Sequence, residues 1–519
     1  MSASSTHSVS EKLSFKDYKD ENDVVHLESQ QQPVEEIDDG VLPKYHNLPP
    51  SLQGMTQDEL HKLDRRTTLK IDLRLMPMLI LIYILNYLDR NNIASARLGG
   101  IEKELGMHGS QWQTVISILF VGYITMQIPA NLLLEKFGRP SIFIAVVMTS
   151  WGTISACTAA VQSYGGLIAI RVLLGIVEAG FFPAALLTLS QWYDRKSLTV
   201  RNAVLYSGSL LSSAFSGLIA AGILSMDGQK GISGWRWLFI IEGCITVFIV
   251  PFAYFILPDV PSNTKFLSEQ ERDLIMWKLA QDTGSNDSDQ GTTTKQALWL
   301  AFTDIKVWMV TGILSFLVAA CGVTNFFPTF VGTLGYSRVK TLCMTAPPYC
   351  CAVVTTFFWS LHADKTGERL WHILIPGCVA MASFIITAAT LNIAARYFAM
   401  CIMLPGLYCA FVSILSWMSN CTPRPPAKRA VAIALMNCLS NSTSIWNAYL
   451  YPKGWEPRFE ISFICNCVFL ALSMAMAIGL SITLRIYNKR IENGTYNWER
   501  ELGKGHTGEE IDPDFRFLY

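Results

Sequence analysis

The chain has 519 residues, of which 51% are hydrophobic and 16% charged, with 41 basic and 41 acidic side chains and no net charge. A soluble domain of this size spreads charge over its whole surface. Here charge crowds into residues 1–70, 259–306 and 488–519, which places the chain among membrane proteins, and its neutrality removes any electrostatic case for a nucleic-acid partner.

In chain order, residues 1–51 are polar, rich in Ser, Glu, Asp and Gln, and lack the apolar core of a signal peptide. Residues 1–70 therefore read as a disordered cytosolic tail. Twelve segments long enough to cross a bilayer as helices follow, at 73–94, 112–134, 141–160, 166–192, 202–224, 235–257, 308–332, 343–361, 371–391, 397–418, 431–450 and 461–486. The fold class is an all-α membrane protein, with six spans in residues 71–257 and six in 306–487. Residues 258–305 form a polar linker that reads as a tether, with a helix at 268–281 capped by Ser268. Residues 488–519 form a second tail. Lys136, Arg139, Arg195, Lys196, Arg201, Lys365, Arg369, Lys428 and Arg429 lie on the side of the tails and linker, so the positive-inside rule makes that side, and both termini, cytosolic.

Two loops repeat one acid–base–x–Gly pattern. Glu135-Lys-Phe-Gly138-Arg139 and Asp364-Lys-Thr-Gly367-Glu-Arg369 stand 229 residues apart, each as the second inter-span loop of its half. A doubled six-span unit with a tight charged turn at the same place in both copies is how one family of secondary transporters is built. The acidic groups Glu135 and Asp364, with Arg139 and Arg369, read as gating contacts that hold one conformation and break in the other.

An ionisable residue inside a span is costly and needs a reason. Away from the span ends these are Asp89 and Arg90, Arg171 and Glu178, and Glu242, all in the first half. The second half offers Asn325, Tyr349, Asn437, Asn441 and Trp446 instead. Arg90 is a candidate cation for an anionic substrate, because a guanidinium pairs with a carboxylate through two parallel hydrogen bonds; equally, Asp89 and Arg90 can neutralise each other. Arg171 and Glu178 are two helical turns apart with Gly175 between them. A carboxyl poised between desolvation and a nearby guanidinium can bind and release a proton, which suits Glu178 to proton coupling. Arg171 either shares that role or braces the bundle through Glu178 or a backbone group. Glu242 reads as a tie to a neighbouring helix. Gly208, Ser212 and Ser216, spaced by four, mark a close helix contact. The 13 cysteines show no metal-ligand spacing, and neither a metal nor another cofactor is expected.

These residues resemble the major facilitator superfamily and, within it, the anion:cation symporters of the fungal allantoate-permease branch, in particular nicotinate-permease-like members. The resemblance is carried by Asn86-Tyr-Leu-Asp89-Arg90, Arg171-Val-Leu-Leu-Gly175-Ile-Val-Glu178-Ala-Gly180-Phe-Phe-Pro183, Gly234-Trp-Arg-Trp through Glu242-Gly243, Pro347-Pro348-Tyr349 and the ending Asp512-Pro-Asp-Phe-Arg-Phe-Leu-Tyr519. Departures from the branch pattern are Asn131 and Glu135 in the first loop copy, and Pro423-Arg-Pro-Pro426 before the eleventh span. The resemblance implies a transporter, not an enzyme, that imports a small organic anion (a carboxylate or sulfonate) with protons by alternating access. Its expected partners are that anion, the proton and the lipid bilayer, and it is expected to act as a monomer in the plasma membrane, an internal membrane being the alternative. Arg90, Tyr123, Gln127, Asn325, Tyr349 and Asn441 are then expected to line the substrate cavity. A non-transporting nutrient sensor, or an anion exchanger of the same fold, is the competing reading.

Overall fold

The computed structural model describes residues 48–137, 139–284, 294–422, 426–498 and 516–518. Twelve long helical elements cross the molecule: α1 (Gln57–Leu98), α2 (Gln111–Phe137), α3 (Pro140–Cys157), α4 (Tyr164–Glu178, resuming at Phe181–Ser190), α5 (Arg195–Leu224) and α6 (Gly234–Ile256) in the first half, then α7 (Ile305–Cys321, resuming at Phe327–Gly332), α8 (Ala346–Thr366), α9 (Trp371–Ala389), α10 (Ile393–Cys421), α11 (Pro426–Asn447) and α12 (Glu460–Glu492) in the second. Among the described residues nine helices are long and apolar enough to cross a membrane. The other three, α1, α2 and α11, are as long but carry polar side chains turned toward neighbouring helices, such as Asn86 and Asn92, Gln113, and Ser440 and Asn447, all buried.

Packing repeats with a shift of six helices. In the first half α1 packs on α5, α2 on α4 and α3 on α6; in the second, α7 packs on α11, α8 on α10 and α9 on α12. The halves meet through α5 against α8 and α2 against α11, which are equivalent pairs under the same shift. The small-residue face of the fifth span is one of these repeated contacts: Ser212 Oγ donates to the Ile84 carbonyl of α1 at 2.9 Å, and Gly208 sits over Ile80.

Three helix breaks have one cause. Proline has no N–H for the carbonyl four residues earlier. Pro183 cannot serve the Ala179 carbonyl, and α4 is interrupted there; Pro328 stands in the first turn of the resumed part of α7, and the Thr324 carbonyl four residues before it takes the Phe327 amide in the 3₁₀ stretch Gly322–Phe326 that divides the helix. Pro347 and Pro348 separate α8 from the short helix Arg338–Cys343.

Two segments differ from expectation. Helix α1 begins at Gln57, inside the expected tail, because Thr56 and Glu59 form a capping box that satisfies its first amides. The first part of the linker is a packed element, not a free tether. Helix Glu269–Gly284 is capped by Ser268 and Glu271, and it is tied to α1 by Lys70–Glu271 and by Lys278–Asp64 at 2.8 Å.

Among the described residues, four hydrogen-bonded contacts join the halves. Arg97 donates to Thr329 (3.4 Å), Gln113 to the Tyr451 carbonyl (3.0 Å) and Arg338 to Asp227 (3.2 Å), and the hydroxyls of Thr114 and Tyr449 share a bond of 2.9 Å. All four lie at the end of the bundle opposite the linker. The described conformation is therefore one in which the halves are fastened at this far end.

Candidate functional site

An α-helix turns about 100° per residue, so adjacent side chains address different neighbours. Asp89 and Arg90 on α1 separate in this way. Asp89 is buried and accepts hydrogen bonds from Ser155 Oγ of α3 (2.5 Å) and Thr246 Oγ1 of α6 (3.4 Å). Arg90 turns to α4, where its Nε donates to Glu178 Oε2. Its guanidinium lies over the Tyr123 ring of α2, 4.6 Å from the centroid, and over Tyr87 at 5.4 Å. Of the two readings open for Arg90, pairing with Asp89 is replaced by pairing with Glu178.

Arg171 does not bond Glu178. Its Nε donates to the Val115 carbonyl of α2 at 3.3 Å, a backbone brace. The two helices can come that close because both carry glycine where they touch. A Cβ on Gly175 would stand 2.1 Å from the Leu119 carbonyl oxygen, and one on Gly122 would stand 2.5 Å from that of Val172. Glu178 is the last residue before the Pro183-induced interruption of α4. Its second oxygen, Oε1, is buried and without a hydrogen-bond partner among the described residues. One oxygen thus holds a guanidinium while the other has room for a proton. Glu242 accepts from Asn92 Nδ2, tying α6 to α1 as expected of a structural contact.

The second half contributes aromatic and amide groups. Asn325 sits in the 3₁₀ interruption of α7. Tyr349 is buried edge-on to Phe327 (5.4 Å) and beside Tyr408 (6.5 Å). Asn441 donates to the Asn437 carbonyl of its own helix at 2.8 Å, and Gln127 on α2 keeps a buried carbonyl oxygen without a partner among the described residues. Three phenols absent from the expected set lie in the spans around these groups. Tyr87 faces Arg90, Tyr206 of α5 stacks on Phe411 of α10 at 5.7 Å, and Tyr408 of α10 packs beside Tyr349. Each is a polar-tipped residue deep in an apolar span, the same signal that singled out Tyr349.

The gating residues are less complete. The side chains of Glu135 and Asp364 lie outside the described residues. Arg139 is exposed at the start of α3, and Arg369 is buried. Gly367 ends α8 with φ +70°, a left-handed cap that glycine adopts without penalty, and this accounts for the glycine of the second motif copy.

A family model described as Major Facilitator Superfamily matches residues 79–448. The chain is 32% identical to the MFS-type transporter efuF of Hormonema carpetanum over 426 residues, 81% of this chain and 85% of that one. It is 30% identical over 441 residues to a candidate tartrate transporter of Agrobacterium vitis, covering 84% and 95%. Among solved structures it resembles a bacterial homolog of the human lysosomal transporter Spinster, inward-facing and occupied, with TM-score 0.64 at 15% identity over 79% of this chain and 97% of that one.

Proposed function

This chain belongs to the Major Facilitator Superfamily and is a multi-pass membrane transporter, not an enzyme; on that premise we propose that it imports a small organic anion together with protons by alternating access. The observation that carries the reading is the Arg90–Glu178 pair, roofed by Tyr123 and Tyr87, with further phenols in the spans of both halves. An anionic substrate and the Glu178 carboxylate compete for one guanidinium. When Glu178 takes a proton on Oε1 it releases Arg90, and the substrate carboxylate or sulfonate takes the vacated fork. When the proton leaves, Glu178 reclaims Arg90 and the substrate is expelled. Substrate affinity is thereby linked to protonation through a single cation. Tyr123, Gln127, Asn325, Tyr349 and Asn441 line the cavity, and Arg171 holds α2 and α4 in register so that Glu178 keeps its reach.

The name of the Agrobacterium relative supports a small dicarboxylate-like anion, and the motif resemblance supports the allantoate-permease branch of the anion:cation symporters. With a membrane potential of 100 mV contributing about 2.3 kcal/mol per charge moved, more than one proton per anion suffices for concentrative uptake. The linker side is cytosolic, the plasma membrane is the site of action, and the protein works as a monomer. Glu135 with Arg139, and Asp364 with Arg369, fasten the cytosolic side in the alternate conformation.

Glu178→Gln is expected to abolish concentrative, pH-dependent uptake of labelled small carboxylates into proteoliposomes while leaving substrate exchange intact. Unchanged gradient-driven uptake in that variant would remove Glu178 from the coupling role.

A further inference from the structure

The acidic–aromatic stretch near residue 515 has no part in the transport reading, yet the segment Arg516–Leu518 is held in a built seat at the linker-side end of the second half. Buried Asn488 of α12 grips one residue from both sides. Its Nδ2 donates to the Phe517 carbonyl at 2.9 Å, and its Oδ1 accepts from the Phe517 amide at 2.9 Å. A single side chain thus satisfies both backbone groups of Phe517, much as a neighbouring strand would. Trp417 of α10, fully buried, donates from Nε1 to the Leu518 carbonyl at 2.9 Å, and Arg516 lies 3.6 Å from Glu492.

The Phe517 ring is only 2% exposed and stands over Lys306 Nζ, 4.3 Å from the ring centroid. A desolvated cation beneath an aromatic face gives an anchor both apolar and electrostatic character. Lys306 is 3.7 Å from Asp304, and Asp304 in turn holds Lys428, at the start of α11, at 2.7 Å. These three side chains are buried together. The segment therefore sits at the linker-side ends of α7, α10 and α12, in contact with groups from each, and Lys306 beneath its ring is linked through Asp304 to Lys428 of α11.

We propose that this end of the second half is a peptide-recognition site whose ligand is the chain's own Arg516–Leu518, and that its occupancy restrains the linker-side ends of α10 and α11. The ligand class is an extended segment with a buried aromatic, read through its backbone by Asn488 and through its ring by Lys306. Release of the segment leaves Trp417 and Asn488 without these partners and loosens the ends of the helices that carry them.

Hydrogen exchange followed by mass spectrometry on the full chain, in detergent or nanodiscs, tests this without any substrate. Phe517→Ala and Asn488→Ala are each expected to accelerate exchange in residues 411–421 and 426–436 roughly ten-fold, the scale of losing one or two hydrogen bonds. Exchange in residues 323–332 at the far end is expected to stay unchanged. The double variant should be no faster than the faster single one, because both remove the same docking event. Phe517→Tyr keeps a ring over Lys306 and should retain protection. Unchanged exchange in both alanine variants, additive acceleration, or equal acceleration at the far end would each overturn the proposal.

Discussion

Asp227 joins the two halves at the far end, and its chemistry makes that junction sensitive to acid. The Gly234 amide donates to it at 2.8 Å and Arg338 of the second half at 3.2 Å, and together they hold its carboxyl below the ordinary value of 3.8 despite slight burial. A carboxyl with a lowered native pKa contributes stability that is fully present above its unfolded value and is lost as the pH falls through the native one. The contribution of Asp227 is therefore complete above pH 3.8 and disappears only below it. Asp227→Asn is expected to lower the unfolding midpoint modestly near neutral pH, with the gap from the parent protein closing below pH 3.8. A gap that stays constant across that range would detach the effect from this carboxylate. Nearby Glu104 behaves similarly. Burial pushes its carboxyl up, but donors from Ser233 (2.6 Å), Trp235 (2.6 Å) and Arg236 outweigh that and draw it down. At this scale the sequence marked the residues that need an explanation and left their partners open. Arg90, Arg171 and Glu178 stand out in sequence because charge in a span is costly. Which oxygen Arg90 would meet depends on a neighbouring helix 88 positions along the chain.

The helices show how local rules and packing divide the work. Proline explains the interruptions of α4 and α7, yet Pro77, Pro129, Pro251, Pro376 and Pro405 lie within helices that run on unbroken. A missing N–H is legible in the chain; whether surrounding helices hold the kinked segment together is not. Glycine at helix contacts is similar, since spacing marks a candidate and only the partner backbone makes it indispensable. Gly175→Ala would place a methyl group 2.1 Å from a backbone oxygen, so α2 and α4 must separate. Overpacking of this kind costs about 2 kcal/mol or more, and a lowered thermal midpoint in detergent is expected. Gly222→Ala, with nothing within 4 Å of the added Cβ, is the matched control and should be neutral or slightly stabilising. Equal midpoints for the two variants would show that the α2–α4 contact does not limit stability.

For the whole molecule, the decisive feature is the far-end junction, where the hydrogen bonds between the halves among the described residues lie. Gly217 of α5 is at that junction, where an added Cβ would approach the Leu342 carbonyl to 2.6 Å and Thr345 Oγ1 to 2.0 Å. Gly217→Val is expected to shift the population toward a state open at the far end. Spin labels at exposed Lys230 and Lys340, in a background with the reactive cysteines replaced, should report a longer distance. An unchanged distance would show that the junction tolerates the side chain. The doubled loop motif, the twelve span-length segments and the restriction of mid-span charge to the first half were all readable from the chain, because hydropathy, helical period and duplication are local or periodic properties. They determined the fold class and the halves that differ in chemistry. Tertiary structure alone decided that Arg90 pairs with Glu178 and not with its neighbour Asp89, that Arg171 braces a backbone, that phenols from both halves converge, and that Arg516–Leu518 is gripped by Asn488. Each of these is a contact between distant segments, set by how helices pack and rotate against one another, and none is encoded in the spacing of any one stretch of sequence.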